Sequence, residues 1–545
     1  MTGFTSARAE RLGLMAWLVL GCALTGCDSA QPSAIKAAAA TTRAVTRPAA
    51  PRNDSDADDE VIDPIDTQRR EGSNADENDE PNENPLVAGE GRLSPAARAV
   101  DEIASEIYES LSHKSVRVVW LFDATTSAEP LRKEVVERLA RNGPILDRCA
   151  KSGTDHELRW SAVAFGQQAE LLLANPTLGA GALMKAVESI ADDTSGVENT
   201  FAAIEKAADE WVGDGGAHDR YVFFIVVTDE VGDDADRVDE VARRLKKRSV
   251  QTYVIGPAAP FGYEGSLTPV AEVENWRLVR QGPESREVEL VDVTASGRSQ
   301  AAALMDSGRG PFALTYLTLE TDGEFFVVHR APEALPAGAD FSPAAGVVRF
   351  DPEVIGRYLP EYVSAEEYRR LQNDNPARLA LAQAAKLPNI ALATDLKREF
   401  AQKDPAALKR QLDEAQRAVA RLEPRLRQFY ETLAAGEADR GRLPPRWRAN
   451  YDLAMGRVLA ARARLEGYNA MLARLKSNGT FRQPDSTRWV LTEADTFAGD
   501  SVLNKVARRA REYLERVVSE HSGTPWAWLA ERELQVPMAW NWVER

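Results

Sequence analysis

Two seven-residue runs constrain this chain more than any other feature. They are Val116-Arg117-Val118-Val119-Trp120-Leu121-Phe122 and Tyr221-Val222-Phe223-Phe224-Ile225-Val226-Val227. Both are rich in β-branched and aromatic residues and do not alternate with polar ones. Near-continuous apolar runs belong to strands covered on both faces, which is the situation of a parallel sheet between helices. Each run stops at a polar turn, Asp123-Ala124-Thr125-Thr126-Ser127 in one case and Thr228-Asp229-Glu230 in the other. Helical patterns follow, from Leu131 and from Arg237 to Lys247. Further strands are expected at Arg159–Phe165, Ala169–Leu173 and Gln251–Ile255, a helix at Phe201–Trp211, and a lead-in helix at Ala96–Leu111. Strands alternating with helices predict a doubly wound, Rossmann-like α/β sheet. In such a sheet the loops at the C-terminal strand ends converge, and ligands bind there.

Those loops carry an oxygen-rich set. Asp123, Thr125 and Ser127 follow the first strand, Thr200 opens a helix, and Asp229 follows the later strand. Hydroxyls and carboxylates without His or Cys suit a hard divalent cation rather than zinc. The three elements, in this order, resemble the von Willebrand factor type A (vWA) family with its metal-ion-dependent adhesion site. Thr125 replaces the middle Ser of the family's Asp-x-Ser-x-Ser and keeps the hydroxyl. Glu230 departs from the frequent Gly. The resemblance implies that Mg2+, or Mn2+ or Ca2+, is held by Asp123, Thr125, Ser127, Thr200 and Asp229. It also implies a protein partner that offers a carboxylate to the ion. Glu230, Asp233 and Asp234 are possible accessory acidic residues. As a two-metal hydrolytic cluster they would want a base, a nucleophile or a phosphate loop beside them, and none is evident.

After Gly256-Pro257 the closing helix and strand of this fold are delayed. They are expected at Gly310–Leu317 and Glu324–Val328, so the vWA domain is read as 96–330 with 257–308 inserted. Within the insertion, Glu274–Val279 and Arg286–Val293 alternate as an antiparallel hairpin would.

The chain opens with Arg8 and Arg11, a short apolar stretch from Leu12 to Leu20, and Leu24-Thr25-Gly26-Cys27. This pattern is similar to a bacterial lipoprotein signal, and it implies that residues 1–27 are a signal peptide with Cys27 lipidated. Residues 28–95 are rich in Ala, Thr and Pro, then in Asn, Asp and Glu, and are expected to form a disordered acidic tether. The chain has 67 Lys plus Arg against 84 Asp plus Glu, a net charge of −17. Residues 53–92 hold 14 acidic and 3 basic residues, a net of −11, while residues 93–360 carry about −16 and residues 361–480 about +7, so the chain reads as an acidic linker, an acidic body and a basic segment. Nucleic acid is an unlikely partner for so acidic a body. With three Cys (Cys22, Cys27, Cys149) no disulfide framework is available.

Residues 331–375 read as a connector. Residues 376–480 carry heptad-spaced apolar positions from Leu408 to Leu433 and from Trp447 to Leu475, separated by Gly436–Pro445. They predict an antiparallel α-helical hairpin with a coiled-coil seam, kinked at Pro424 and flanked by Arg417, Arg421, Arg425, Arg427, Arg457, Arg462 and Arg464. Residues 481–545 are expected to be a short, Trp-rich helical region.

The sequence therefore points to a non-enzymatic, lipid-anchored protein of the cell membrane, facing the periplasm or the exterior, that binds a protein partner through a cation. The alternatives are a structural tether or envelope assembly factor acting through its helical region, and a metal-dependent hydrolase.

Overall fold

The computed structural model describes residues 93–328 and 348–545, apart from short stretches at 153–154, 214–215, 217, 263–265, 270–275, 280–281, 292, 295–304, 389, 392–395 and 403. All of the described residues fall in one compact unit, Glu80–Arg545. The expected signal, Cys27 and the tether lie outside the described residues.

The first layer runs α1 (Pro95–Leu111), β1 (Ser115–Asp123), α2 (Glu129–Ser152), β2 (Leu158–Phe165), β3 (Ala169–Leu171), α3 (Ala180–Glu188), α4 (Thr200–Trp211), β4 (Arg220–Val227), α5 (Val238–Lys247) and β5 (Val250–Pro257). Two short strands follow, β6 (Ser266–Pro269) and β7 (Trp276–Val279), then β8 (Val293–Thr294), α6 (Phe312–Glu320) and β9 (Phe325–Val328). The main sheet has six strands in the order β3-β2-β1-β4-β5-β9. All neighbours in it are parallel except β3 against β2. This is the doubly wound α/β architecture expected from the sequence.

Side chains of β1 alternate between two cores. Val118, Trp120 and Phe122 pack with α1, α2 and α3 on one face. Val119 and Leu121 pack with α4, α5 and α6 on the other. Both faces being dry explains why the sequence of β1 shows no polar alternation. The parallel register sets Phe122 opposite Val227, so the loops after β1 and β4 leave the sheet side by side.

The second layer runs α7 (Pro352–Ile355), α8 (Ala365–Asn373), α9 (Pro376–Ala385), β10 (Ile390–Ala391), β11 (Glu399–Ala401), α10 (Pro405–Ala420), α11 (Glu423–Ala434), α12 (Pro445–Asn478), β12 (Arg488–Ala494), α13 (Ser501–Glu520), α14 (Pro525–Leu534) and β13 (Ala539–Glu544). Here the structure corrects three expectations. First, α12 is more than one half of a two-helix seam. Every residue from Tyr451 to Ala460 is buried, so every side of the helix is covered over that stretch. It is the centre of a third core built with α9, α10, α11, α13 and α14. Two of the supposed flanking cations, Arg457 and Arg464, are buried with it. Arg464 is paired with Glu533 and also donates to the carbonyls of Glu533, Val536 and Pro537, the C-terminal end of α14. The first heptad run is two helices, because Pro424 removes a backbone donor and sits in the first turn of α11.

Second, the C-terminal region is not only helical. β11, β12 and β13 form an antiparallel sheet, with Leu491 opposite Trp542 and Glu493 opposite Trp540. The late tryptophans are thus used in packing, their indole nitrogens donating to Arg464 O and Met471 O on α12.

Third, the insertion does not form the expected hairpin. β7 pairs with β6, and Val293 pairs in parallel with Ile390 of the second layer. The segment between them is held by side chains instead. Arg446 of α12 is buried and bonds Glu284 at 2.9 Å and Glu289 at 2.8 Å. Tyr368 donates its hydroxyl to Glu289, and Asn450 donates to the Glu289 carbonyl. Phe261, Leu290, Val291, Val293 and Met305 join the helical core. The described part of the insertion therefore joins the two layers.

Removing one partner of a buried ion network strands the rest, at a cost of about 3–5 kcal/mol. Arg446→Ala is expected to destabilise the chain by that order in urea unfolding. Arg427→Ala, whose surface pair with Glu423 is largely exposed, is expected to cost under about 1 kcal/mol.

Candidate metal site

Asp123 ends β1 and is fully buried. Its carboxylate Oδ1 accepts from the backbone N–H of Thr125 at 2.8 Å and from the Thr125 hydroxyl at 2.7 Å. Its Oδ2 accepts from the Thr228 hydroxyl at 2.8 Å. The Thr125 and Ser127 hydroxyls are 3.2 Å apart, and Ser127 donates to Asp229 at 3.4 Å. The loops after β1 and β4 are thus laced together by hydroxyls around two carboxylates.

The third element arrives by a less local route. Asn199 donates its backbone N–H to Gly166 O, and its side chain donates to Gln167 O, tying this loop to the end of β2. From the other side, Asp233 accepts from the Glu198 N–H at 3.1 Å, and the Asp233 N–H donates to Glu198 O at 2.7 Å. Asp234 accepts from the N–H groups of Phe201 and Ala202 at 3.1 and 2.7 Å, which caps α4. Gly232 has φ +91°, and a Cβ there would lie 2.7 Å from the Thr200 hydroxyl, so only glycine lets the two loops close up. Asp233 and Asp234, expected as accessory acidic residues, spend their oxygens on these backbone amides.

The loop also buries a residue that the sequence reading passed over. Glu198 is 1 % exposed, and its ligand atom lies with those of Asp123 and Asp229 in a group spanning no more than 4.8 Å. No N–H or O–H donor among the described residues reaches either Glu198 oxygen, and the buried Thr200 hydroxyl likewise meets no partner among them. Thr200 lies two residues on, at the first turn of α4. Nothing in local spacing marks Glu198, because its burial depends on bonds made by Asn199 and Asp233 to distant loops. Glu230 is half-buried beside the cluster. Arg132 bonds the carbonyls of Asp123 and Thr125 and pairs with Asp192, none of which is one of the three clustered carboxylates.

The electrostatics follow from this crowding. Burial, then the Asp229 charge, pushes Asp123 up to about 6. Burial, then the charges of Asp123, Glu230 and Asp229, pushes Glu198 up to about 10. Three carboxylates in a dry pocket, unpartnered oxygens and a ring of hydroxyls form a donor set suited to a hard divalent cation.

Residues 121–275 match the family described as von Willebrand factor type A domain, and such a domain is present in this chain. No curated protein matches the chain. Among solved structures, a conserved hypothetical protein BatB from Bacteroides thetaiotaomicron is 16 % identical, with 40 % of this chain and 92 % of that one covered and a TM-score of 0.25. An aerotolerance-related membrane protein from Bacteroides fragilis NCTC 9343 is 17 % identical, with 39 % and 92 % covered and a TM-score of 0.23. An uncharacterized membrane spanning protein from Vibrio fischeri is 13 % identical, with 40 % and 93 % covered and a TM-score of 0.14. No helix among the described residues is long and apolar enough to cross a membrane.

A carboxyl group raised by folding stabilises the native state at low pH and loses that contribution as pH climbs from its ordinary value to its folded one. The window here opens near 4 and runs to about 6 for Asp123 and about 10 for Glu198. In chelator, the melting temperature should therefore fall between pH 5 and pH 8. Saturating Mg2+ should abolish that fall, and Glu198→Gln should flatten it in the metal-free protein.

Proposed function

We propose that this is a cation-dependent, non-enzymatic interaction protein of the cell envelope. The observation that carries the reading is the cluster of Asp123, Glu198 and Asp229 at the C-terminal edge of a vWA sheet. Asp123, Asp229 and Glu198, with the hydroxyls of Thr125, Ser127 and Thr200, would hold a divalent ion, Mg2+ first among the candidates. The ion would neutralise charge that otherwise keeps these loops apart. Loops ordered in this way form a defined surface for a protein partner, and vWA domains commonly mediate such contacts. No side chain at the site is arranged as a nucleophile with its base, which favours binding over turnover.

Placement at the membrane follows from the Leu24-Thr25-Gly26-Cys27 tetrad after a short apolar stretch. A lipidated Cys27, followed by a long acidic spacer, would let the folded part stand away from the bilayer.

Calorimetric titration of Mg2+ into the full chain is expected to show one saturable site. Asp123→Ala should weaken it by tenfold or more, and equal binding by both proteins would sink the metal reading. Metabolic labelling with a fatty acid should mark the wild-type protein in its bacterial host and leave Cys27→Ala unlabelled. Labelling of both would remove the anchor.

A further inference from the structure

The resemblance behind the metal reading carries an expectation about the partner, namely a carboxylate that completes the ion's shell. Glu198 bears directly on it. We infer that Glu198 itself completes the shell from within, so that the ion is a closed, resident one and a partner carboxylate has no place on it. The inference rests on the metal reading above and concerns what that site accepts.

Three observations support it. The first is position. Glu198 contributes a carboxylate oxygen to the same group of ligand atoms as Asp123 and Asp229, all within 4.8 Å of one another. The second is that the one side-chain bond Glu198 makes among the described residues is to another member of the cluster, Asp123. Neither of its buried oxygens meets an amide, a hydroxyl or a cation among the described residues, and its backbone is held by Asp233. Ionising a carboxyl group in so dry a place carries a large desolvation penalty that a cation would offset. The third is charge and access. Asp123 and Asp229 together would balance a divalent ion and leave it electrophilic, whereas Glu198 makes the loaded site net negative. Glu230 adds to this from the rim. Asp123, Glu198 and Asp229 are each at most 1 % exposed, so the carboxylate side of the site is closed to solvent. The partner is then met by the loop surface around the ion, and its suitable groups are hydrogen-bond donors and cations.

Mn2+ is a direct probe, because water-proton relaxation reports whether an added anion displaces water from the ion's inner shell. Mn2+ is titrated into the full chain, and excess sodium acetate stands in for a partner carboxylate. In the wild type, acetate should leave the relaxation of the bound ion unchanged. In Glu198→Gln, which keeps the shape, Mn2+ should bind about tenfold or more weakly, as removal of a charged ligand implies, and acetate should now alter the relaxation. Acetate acting on the wild type as strongly as on the variant would overturn the inference, and so would unchanged Mn2+ affinity in Glu198→Gln. The wild-type acetate arm decides even if the variant folds poorly. Absence of Mn2+ binding in the wild type, or binding untouched by Asp123→Ala, would instead bring down the metal reading itself.

Discussion

Three carboxylates brought within a few ångströms of one another, away from water, are the interaction on which the upper edge of this fold depends. Mutual repulsion and desolvation both oppose it. The surrounding chemistry lowers that opposition in steps. Hydroxyls of Thr125 and Thr228 donate to Asp123, and Ser127 donates to Asp229. Asp233 and Asp234 then stitch the loop that carries Glu198 to the loop after β4. What the hydroxyls leave unbalanced is the charge, and a divalent cation is the simple group that would balance it.

The second organising interaction lies away from that edge. Arg446, enclosed by Glu284 and Glu289, joins the described part of the insertion to the central helix of the helical layer. It has company from Tyr368 and from the Trp526 ring beneath the guanidinium. The insertion also touches the site's own loop, because Gly282, at φ +78°, packs on Val231. The segment interrupting the vWA fold therefore serves as one contact between the two layers, beside Asp239 with Ala365 and Phe312 with Tyr362. This explains why its sequence carries buried glutamates where a free hairpin would carry alternating apolar residues.

The strands of the sheet and the order of strand and helix were legible because each is a short-range pattern, whereas the set Asp123, Thr125, Ser127, Thr200 and Asp229, spread over more than a hundred residues, was read through its resemblance to the vWA motif. A dry parallel strand must be apolar on both sides, and its last residue must face the loop. The heptad runs were equally legible as helices, but their surroundings were not. The same spacing serves a two-helix seam and one face of a helix buried all round, and only α13, α14 and β13 packed against α12 distinguish them. The strands β12 and β13 were missed because their pairing joins segments some fifty residues apart, as Leu491 with Trp542.

By itself, then, the sequence determined that two buried strands would each stop at an aspartate-bearing, hydroxyl-rich turn, since strand periodicity and polar stops are local properties; their adjacency in the sheet was decided by tertiary pairing. The tertiary structure alone decided which further carboxylate joins them. Glu198 is brought in by Asn199 bonding to the loop after β2 and by Asp233 bonding across from the loop after β4. Bonds between distant segments leave no periodic trace in either of them. The same holds for Arg446, whose role as a buried clamp depends on two glutamates more than 150 residues away in the chain.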